Sequence, residues 1–408
     1  MTVSRPPAAP SAPRRRGLRA LVAATAVSSV GDGAFIAAAP LAAAAVTRNP
    51  AAVAIVTAAE YLPWVLVAPF AGYFVDRWPK RTTMIVADLL RCMLVALLAA
   101  LLATGSASIP AIALCAFAMA SGNVSHSAAA EATIADLTAL EEKRLHAVNG
   151  RQQAAYTGGR QLVGPPLGSL TFSAARWLPF AIDAVSFLGS ALLLAIIPAQ
   201  KAPRGRPEGV WGALRASTVY LLRNRDLRML ATLTAMANFS INMVMGILVL
   251  YATDPQGLGV TEAEYGLLLA AMAVGGVVGG FIVPWVTGRL GSRTTMIAGL
   301  AAQGAAWFLV AATGQALLAG AALALGFVGV TLVSVVVMTT RQKQVPPELL
   351  GKVISAFRVV GNGPAPLGAV AGGVLATAAG LQTPIFVAAG VTLLAVVLVL
   401  RARVNSGR

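Results

Sequence analysis

The sequence predicts an all-α polytopic membrane protein, with twelve transmembrane helices in two pseudo-symmetric bundles of six. Three observations predict this fold class. Of the 408 residues, 57% are hydrophobic and only 11% are charged. A soluble domain has about a quarter charged residues, so most side chains here do not meet water. The apolar residues form twelve runs of membrane-spanning length, and the two halves of the chain carry matching segments.

The apolar runs define the predicted helices in order. Helices one to six are predicted at residues 20–46, 51–75, 83–104, 108–131, 147–172 and 177–198. Helices seven to twelve are predicted at 227–252, 262–286, 294–313, 316–339, 352–377 and 382–401. Each run reaches the ~20 residues that cross the hydrocarbon core. We therefore expect a disordered tail at 1–17, bundles at 18–198 and 227–402, a cytoplasmic linker at 199–226 and a short tail at 403–408.

The linker between the bundles is basic and is interrupted by Pro203 and Pro207. Its apolar residues between Trp211 and Leu222 recur at nearly helical spacing. This pattern predicts a short amphipathic helix on the inner leaflet of the membrane. The first apolar run, which ends at Val46, is too long for a signal-peptide core, so we interpret it as a retained first helix.

The basic residues predict the orientation of the chain. With the amino terminus inside, the cytoplasmic connections carry ten Lys or Arg residues, whereas the opposite connections carry only Arg48 and Arg176. This asymmetry places both termini in the cytoplasm. The net charge of +16 is spread over these connections rather than over one aromatic-bearing face, which argues against nucleic-acid binding. The Ala- and Arg-rich composition indicates a bacterial plasma (inner) membrane.

Two pairs of matching segments indicate an internal duplication. Residues 72–84 follow helix two and residues 284–296 follow helix eight, and both end in Arg-Thr-Thr-Met. A second pair places Gly164-Pro-Pro-Leu-Gly168 in helix five and Gly363-Pro-Ala-Pro-Leu-Gly368 in helix eleven. Each half has an even number of helices, so the copies share one orientation. A substrate site is then expected between them, near the membrane midplane.

The loop after helix two carries a family resemblance. Its pattern Gly72-x-x-x-Asp76-Arg77-x-x-Lys80-Arg81 resembles the signature of the major facilitator superfamily, although Pro79 stands where glycine is usual. Three further stretches resemble the branch of the enterobactin exporter and the macrolide-efflux-like proteins: Ser29-Val-Gly-Asp-Gly33, Leu62-Pro-Trp64 and Arg341-Gln-Lys-Gln-Val-Pro346. The resemblance covers essentially the whole chain and names no substrate.

The resemblance implies a cytoplasmic gate formed by Gly72, Asp76, Arg77, Lys80 and Arg81. In the family, the acid faces the amino end of helix eleven when the inner side closes. The helix dipole favours a carboxylate there by roughly 0.3–2 kcal/mol. The alternative is that these charges only fix the topology.

The Gly-Pro segments of helices five and eleven resemble the superfamily's exporter motif. Proline removes a backbone donor and glycine allows close helix approach, so together they bend a helix. The predicted bend residues are Gly164, Pro165, Gly168, Gly363, Pro364 and Gly368. Plain helix packing is the alternative.

Several charged residues lie inside predicted helices, where each costs about 2.5–3.5 kcal/mol on insertion scales. We expect Asp32 to exchange protons while Arg160, or another nearby base, adjusts its proton affinity. A static Asp–Arg pair is the alternative. Glu60 is a second coupling candidate, unless it lies near the outer interface. Asp183 and Arg176 are expected to form a solvated outer pair.

Three further residues are candidates for the substrate cavity. Asn238 and Asn242, four residues apart on helix seven, suit either interhelical hydrogen bonds, which we favour, or substrate contact. Arg358 lies nearer the cytoplasmic side, as do Arg91 and Arg151. His126 is expected to be a satisfied polar group, and the pattern of His and Cys residues predicts no metal site and no cofactor.

The predicted function is proton-coupled efflux of a small amphipathic compound, such as an antibiotic or siderophore. We expect a cavity lined by Ala, Leu and Met with few charges. An importer or a lipid transporter of the same fold is one alternative, and a non-transporting receptor is another. The sequence has no nucleophile elbow and no Walker-type loop, so we expect neither an enzyme nor an internal ATPase. The expected partners are the substrate, protons and lipid, with the chain a monomer.

Overall fold

The computed structural model describes residues 12–70, 77–138, 142–198 and 210–401. Within these ranges the chain is almost entirely helical, and they contain no β-strand. Long apolar runs dictate this outcome, because a segment in lipid must satisfy its backbone hydrogen bonds internally.

The first half contains six helices that match the predicted ones. They are α1 (Ala12–Val46), α2 (Pro50–Tyr61, continued by Pro63–Leu66), α3 (Lys80–Ala103), α4 (Ile109–Thr138), α5 (Glu142–Thr157, the π-helical Gly158–Val163 and Gly164–Ala174) and α6 (Leu178–Leu194). α1 includes residues 12–17, which the sequence analysis assigns to the tail. Pro13 lies in the first helical turn, where its missing N–H costs nothing.

The second half begins after a linker helix, Val210–Arg223. Its helices are α7 (Arg225–Thr253), α8 (262–290), α9 (292–312), α10 (Ala316–Gln344), α11 (Pro347–Asn362 and Pro364–Ala379) and α12 (Thr383–Arg401). α8 and α9 are the two parts of the helix Glu262–Ala312, which breaks at Gly291. Gly291 has φ 74°, a conformation that glycine adopts at no steric cost.

Nine helices in the described residues are long and apolar enough to cross a membrane. That number counts α8 and α9 once, and it omits α6, which has 17 residues, and α5, which the π-helical segment interrupts. With these included, the chain has the twelve-helix, two-bundle architecture that the sequence predicts.

The two halves pack by the same glycine contacts, as a duplication requires. In the first half, Gly168 of α5 lies against the backbone of Ala34 in α1. In the second half, Gly368 of α11 lies against the backbone of Phe239 in α7. A Cβ at either glycine would collide with that backbone. The matched Gly-Pro segments therefore occupy equivalent places in the two bundles.

Side-chain hydrogen bonds join the two bundles on one side of the membrane. We name the side of the two chain ends the terminal side, and the opposite side the far side. On the far side, the Ala51 N–H donates to Thr377 Oγ1 (3.3 Å), and Arg48 Nη1 donates to Thr253 Oγ1 (3.1 Å). Each bond joins the first half to the second. The far side is therefore closed in this conformation.

Candidate functional site

A cavity of about 620 Å³ lies in the terminal half of the molecule. Its lining comes from α1 to α5 and, across the gap, from α11. The acidic and basic lining residues are Asp32, Arg91, His126, Glu131 and Arg358. Of the described lining residues, only Ser355 and Arg358 belong to the second half. The chemistry of the cavity is thus concentrated in the first bundle.

The polar character of the cavity corrects one prediction. The expectation of an Ala, Leu and Met lining with few charges is wrong, because Ser, Thr, Asn and Gln side chains cover much of the wall. On α1, Thr25, Ser28, Ser29 and Asp32 recur at helical spacing and form one polar stripe. Average composition conceals this stripe, since the other residues of α1 from Leu21 to Val46 are apolar or glycine. Apolar contacts come from residues such as Trp64.

The deep end of the cavity holds a second ionisable pair. A small pocket of about 40 Å³ is lined by Asp32, Glu60 and Arg160, among others. Arg160 Nη2 lies 3.4 Å from Glu60 Oε1. Glu60 is ten residues into α2, which at about 1.5 Å per residue places it near mid-depth. The alternative position near the outer interface is therefore excluded.

Asp32 is 8% exposed and lies at the junction of the cavity and this pocket. Its ion-pair partner is Arg91 of α3, whose Nη1 is 3.6 Å from Asp32 Oδ1. Arg91 is only 2% exposed, and its guanidinium stacks 4.2 Å from the centre of the Phe187 ring. Arg160 was the first candidate for the base that adjusts the proton affinity of Asp32, but it forms its ion pair with Glu60.

Arg91 belongs to a buried cluster that the sequence analysis did not identify. Its Nη2 forms an ion pair with Asp88, which is 0% exposed. Asp88 also contacts His126 Nδ1 (3.0 Å) and accepts a hydrogen bond from Ser190 Oγ (2.6 Å). The prediction of His126 as a satisfied polar group agrees with this contact. An Asp and an Arg three residues apart within an apolar run were the available signal.

Asp183 lies elsewhere than predicted. It is 0% exposed, packs against Gly31 of α1, and accepts a hydrogen bond from Ser186 Oγ at 3.3 Å. The predicted solvated pair with Arg176 is therefore wrong. Position 183 lies on the face of α6 that turns toward α1, whereas Arg176 lines a separate far-side pocket with Arg48.

Comparison with known families decides the classification. The profile described as Major Facilitator Superfamily matches residues 21–361 and, in a second match, residues 229–407. The chain belongs to the major facilitator superfamily. No curated protein matches the sequence.

Solved structures of this superfamily's fold resemble the chain along its whole length. A bacterial homologue of the iron transporter ferroportin, inward-facing, has a TM-score of 0.74 at 17% identity, covering 95% of this chain and 98% of that one. The nucleoside transporter NupG has 0.71 at 12%, covering 94% and 98%. A bacterial homologue of the human lysosomal transporter Spinster, inward-facing and unoccupied, has 0.69 at 13%, covering 96% and 97%. At these identities the likeness shows the fold.

The structure describes only part of the superfamily's loop signature. Gly72 and Asp76 lie outside the described residues. Lys80 Nζ is 2.7 Å from Asp136 Oδ2 and donates to the Ala132 carbonyl at 3.3 Å, so it joins the start of α3 to the end of α4. Arg77 is exposed, and Arg81 is half-buried. Lys80 thus makes its contacts within the first bundle in this conformation.

The Gly-Pro segments lie at breaks in their helices. In α5 the regular helix restarts at Gly164 and Pro165, directly after the π-helical segment. In α11 it restarts at Pro364, with Gly363 between the two parts. Gly266 of α8 packs against the Pro165 backbone, so the α5 break also meets the second bundle.

The two asparagines of α7 contact helices and not the large cavity. Asn238 Nδ2 donates to the Gly361 carbonyl and to Asn362 Oδ1, both at 3.0 Å. Asn242 Nδ2 donates to the Asn238 carbonyl at 2.9 Å. The two bonds of Asn238 hold α7 against the break in α11, whereas the bond of Asn242 lies within α7. Of the three predicted cavity residues, the structure places Arg358 in the lining.

Proposed function

We propose that this superfamily member is a secondary transporter that exports a small amphipathic compound, such as an antibiotic or siderophore, in exchange for protons. The observation that carries the proposal is the cavity between the bundles, which is closed on the far side and ends at ionisable Asp32 and Glu60. Transport by alternating access needs such a pocket, reachable from one side at a time.

Asp32 is the coupling residue in this proposal. It lines the cavity, so a proton or a substrate can reach it, and it lies 3.6 Å from a guanidinium. A carboxylate's proton affinity rises when water is removed and falls when a cation approaches. Filling or closing the cavity changes both conditions, which links proton binding to conformation. Glu60, paired with Arg160, is the second coupling group.

The cavity supports an amphipathic cargo. Its volume of about 620 Å³ is within the range of small-molecule sites, roughly 300–1,000 Å³. The α1 stripe of Thr25, Ser28 and Ser29 offers hydroxyl groups, while Trp64 and Ile134 offer apolar contact. The Gly-Pro bends favour export over import.

The proposed setting is a bacterial plasma membrane with the terminal side in the cytoplasm and the chain a monomer. The excess of Lys and Arg in the terminal-side connections supports this orientation. The conformation described above is then inward-facing. Closure of the cytoplasmic side would bring Asp76 to the amino end of α11, and Arg77, Lys80 and Arg81 would complete that gate.

The test is a resistance screen in a bacterial host that lacks its own efflux pumps. Hosts that express the chain are compared with hosts that express Asp32→Asn on a panel of amphipathic antibiotics. We expect the chain to protect against at least one compound and Asp32→Asn to abolish protection while yielding the same amount of monodisperse purified protein. Inside-out vesicles then test whether that compound's uptake consumes a proton gradient.

Three results would contradict the proposal. Sensitisation instead of protection would indicate an importer. Protection that persists in Asp32→Asn would remove this carboxyl from the mechanism. No flux of any panel compound or of labelled lysolipid in reconstituted vesicles would favour a receptor.

A further inference from the structure

The buried cluster around Arg91 is not explained by packing alone. Asp88, Arg91, His126 and Ser190 come from three helices, α3, α4 and α6, and they meet in the interior of the first bundle. Replacing such a set with apolar residues is often neutral or stabilising in other proteins. A buried ionisable cluster with one edge open to the cavity is therefore a candidate for a functional role.

The geometry shows one guanidinium shared by two carboxylates. Arg91 turns Nη2 toward Asp88 and Nη1 toward Asp32. Asp88 keeps two other partners, His126 and Ser190, so it stays satisfied whatever happens at Asp32. Asp32, by contrast, has Arg91 as its ion-pair partner among the described residues and also faces the cavity. The protonation state of Asp32 can therefore change while Asp88 keeps its partners.

We infer that Arg91 is the positioning residue that governs the ionisation of Asp32, and that Asp88, His126 and Ser190 hold Arg91 in place. This inference rests on the proposed proton coupling and identifies Arg91 as the cation that sets the ionisation of Asp32. A guanidinium within about 4–6 Å of a carboxylate favours its ionised form by roughly one to three pH units. When Asp32 takes up a proton, Arg91 remains paired with Asp88, so no buried charge is left alone.

The other charged groups near Asp32 lie on five helices. On α2 and α5, Glu60 and Arg160 pair with each other at 3.4 Å. On α6, Asp183 packs against Gly31, the residue before Asp32, and its Oδ1 accepts a hydrogen bond from Ser186 Oγ, while its buried Oδ2 has no hydrogen-bond partner among the described residues. On α4, His126 contacts Asp88. Across the cavity, Arg358 of α11 is exposed. Arg160 is therefore the competing candidate for the role assigned to Arg91.

A glycine offers a way to move Arg91 without changing any charge. A Cβ at Gly122 of α4 would come within 2.8 Å of both Cγ and Cδ of Arg91. The Phe187 ring, whose centre is 4.2 Å from Arg91 Cζ, also limits where the side chain can go. Gly122→Ala should therefore displace the guanidinium while every ionisable group remains.

The experiment is an infrared pH titration of the purified full chain, which needs no substrate. The carbonyl stretch of protonated Asp32 is assigned by its loss in Asp32→Asn. We expect Arg91→Gln and Gly122→Ala to raise the pH at half-maximal band intensity by about one unit or more. Arg91→Lys, which keeps the charge, should restore part of the shift. Arg160→Gln is the matched control and should move the midpoint less than Arg91→Gln does.

Two outcomes would overturn the inference: an unchanged midpoint in both Arg91→Gln and Gly122→Ala, or a larger shift in Arg160→Gln. If Arg91→Gln does not fold, Gly122→Ala against Arg160→Gln decides alone. Failure of the proposed function would be separate, since it would appear as absent proton-driven flux in the wild-type chain. The titration does not depend on that flux.

Discussion

Asp88 is the residue whose surroundings are most demanding. It is 0% exposed in the interior of a membrane protein, and three side chains from different positions satisfy it. An ionised carboxylate in such a place depends on its partners, because desolvation of a lone charge costs several kcal/mol. The cluster therefore contributes to the integrity of the first bundle as well as to the state of Asp32.

Asp88→Asn should destabilise the protein by roughly 3–5 kcal/mol, the usual cost of removing one partner from a buried ion pair. The substitution keeps the shape of the side chain but leaves the Arg91 guanidinium with Asp32, at 3.6 Å, as its counter-charge among the described residues. Thermal unfolding in detergent measures the effect. Glu131→Gln is the control, since Glu131 is exposed to the cavity and should unfold like the wild type. Equal unfolding temperatures for the two variants would contradict this account of Asp88.

At this scale the sequence identified part of the site. Asp32, Glu60 and Arg160 stood out because charges inside apolar runs are costly, and all three line the deep pocket. The ion-pair partner of Asp32 could not be predicted from the sequence. Helical spacing shows on which face of a helix a residue lies, but not which other helix packs against that face. Asp183 shows the same limit, since its depth in α6 was less informative than its direction toward α1.

The helices of each bundle are held together by close glycine contacts. α5 meets α1 at Gly168 and α11 meets α7 at Gly368. In each case the glycine, which has no side chain, lies directly against the backbone of the neighbouring helix. Lipid is as apolar as a leucine side chain, so helix association in a membrane depends on such packing rather than on the hydrophobic effect. These contacts place the α1 polar stripe beside the cavity.

Gly168→Ala should separate α5 from α1 and cost about 1–3 kcal/mol, because the new methyl group meets the rigid backbone at Ala34. Gly280→Ala is a matched control on α8, where a Cβ has open space. That control should be neutral or slightly stabilising, as Ala is the better helix former. Unfolding in detergent compares the two. A Gly168→Ala variant as stable as Gly280→Ala would show that this contact is not tight.

Hydrophobic run length was enough to predict the membrane helices from the sequence, and the helical spacing of apolar residues was enough to predict the linker helix. Neither pattern predicts the π-helical segment of α5 or the residue at which α8 breaks from α9. The first depends on how the backbone before Gly164 adapts to α1, and the second on a single positive φ at Gly291. Both are decided by local backbone geometry that hydropathy does not report.

The whole molecule consists of two similar bundles that serve different purposes. The acidic groups within the membrane belong to the first bundle, whereas the acids in the described part of the second lie near helix ends. The second bundle supplies the far-side closure through Thr253 and Thr377 and one wall of the cavity through α11. The duplication was visible in the sequence, but the different contributions of the two bundles to the cavity were seen only in the structure.

We propose that the bundles rock about the shared cavity, so that one side opens as the other closes. Pulsed electron–electron double resonance on two spin-label pairs tests this motion, in a chain with Cys92 and Cys115 replaced by Ala. One pair, Arg151→Cys with Gln342→Cys, spans the terminal side, and the other, Ser173→Cys with Gln256→Cys, spans the far side. All four positions are exposed.

Distances are compared between acid and alkaline pH, and between the labelled chain and the same chain with Asp32→Asn. If the bundles rock, the two distances change reciprocally with pH, so that the population with a shorter terminal-side distance is the population with a longer far-side distance. Asp32→Asn should hold that balance at one value across the pH range. Distances that move together on both sides, or that respond to pH equally without the Asp32 carboxyl, would contradict this proposal.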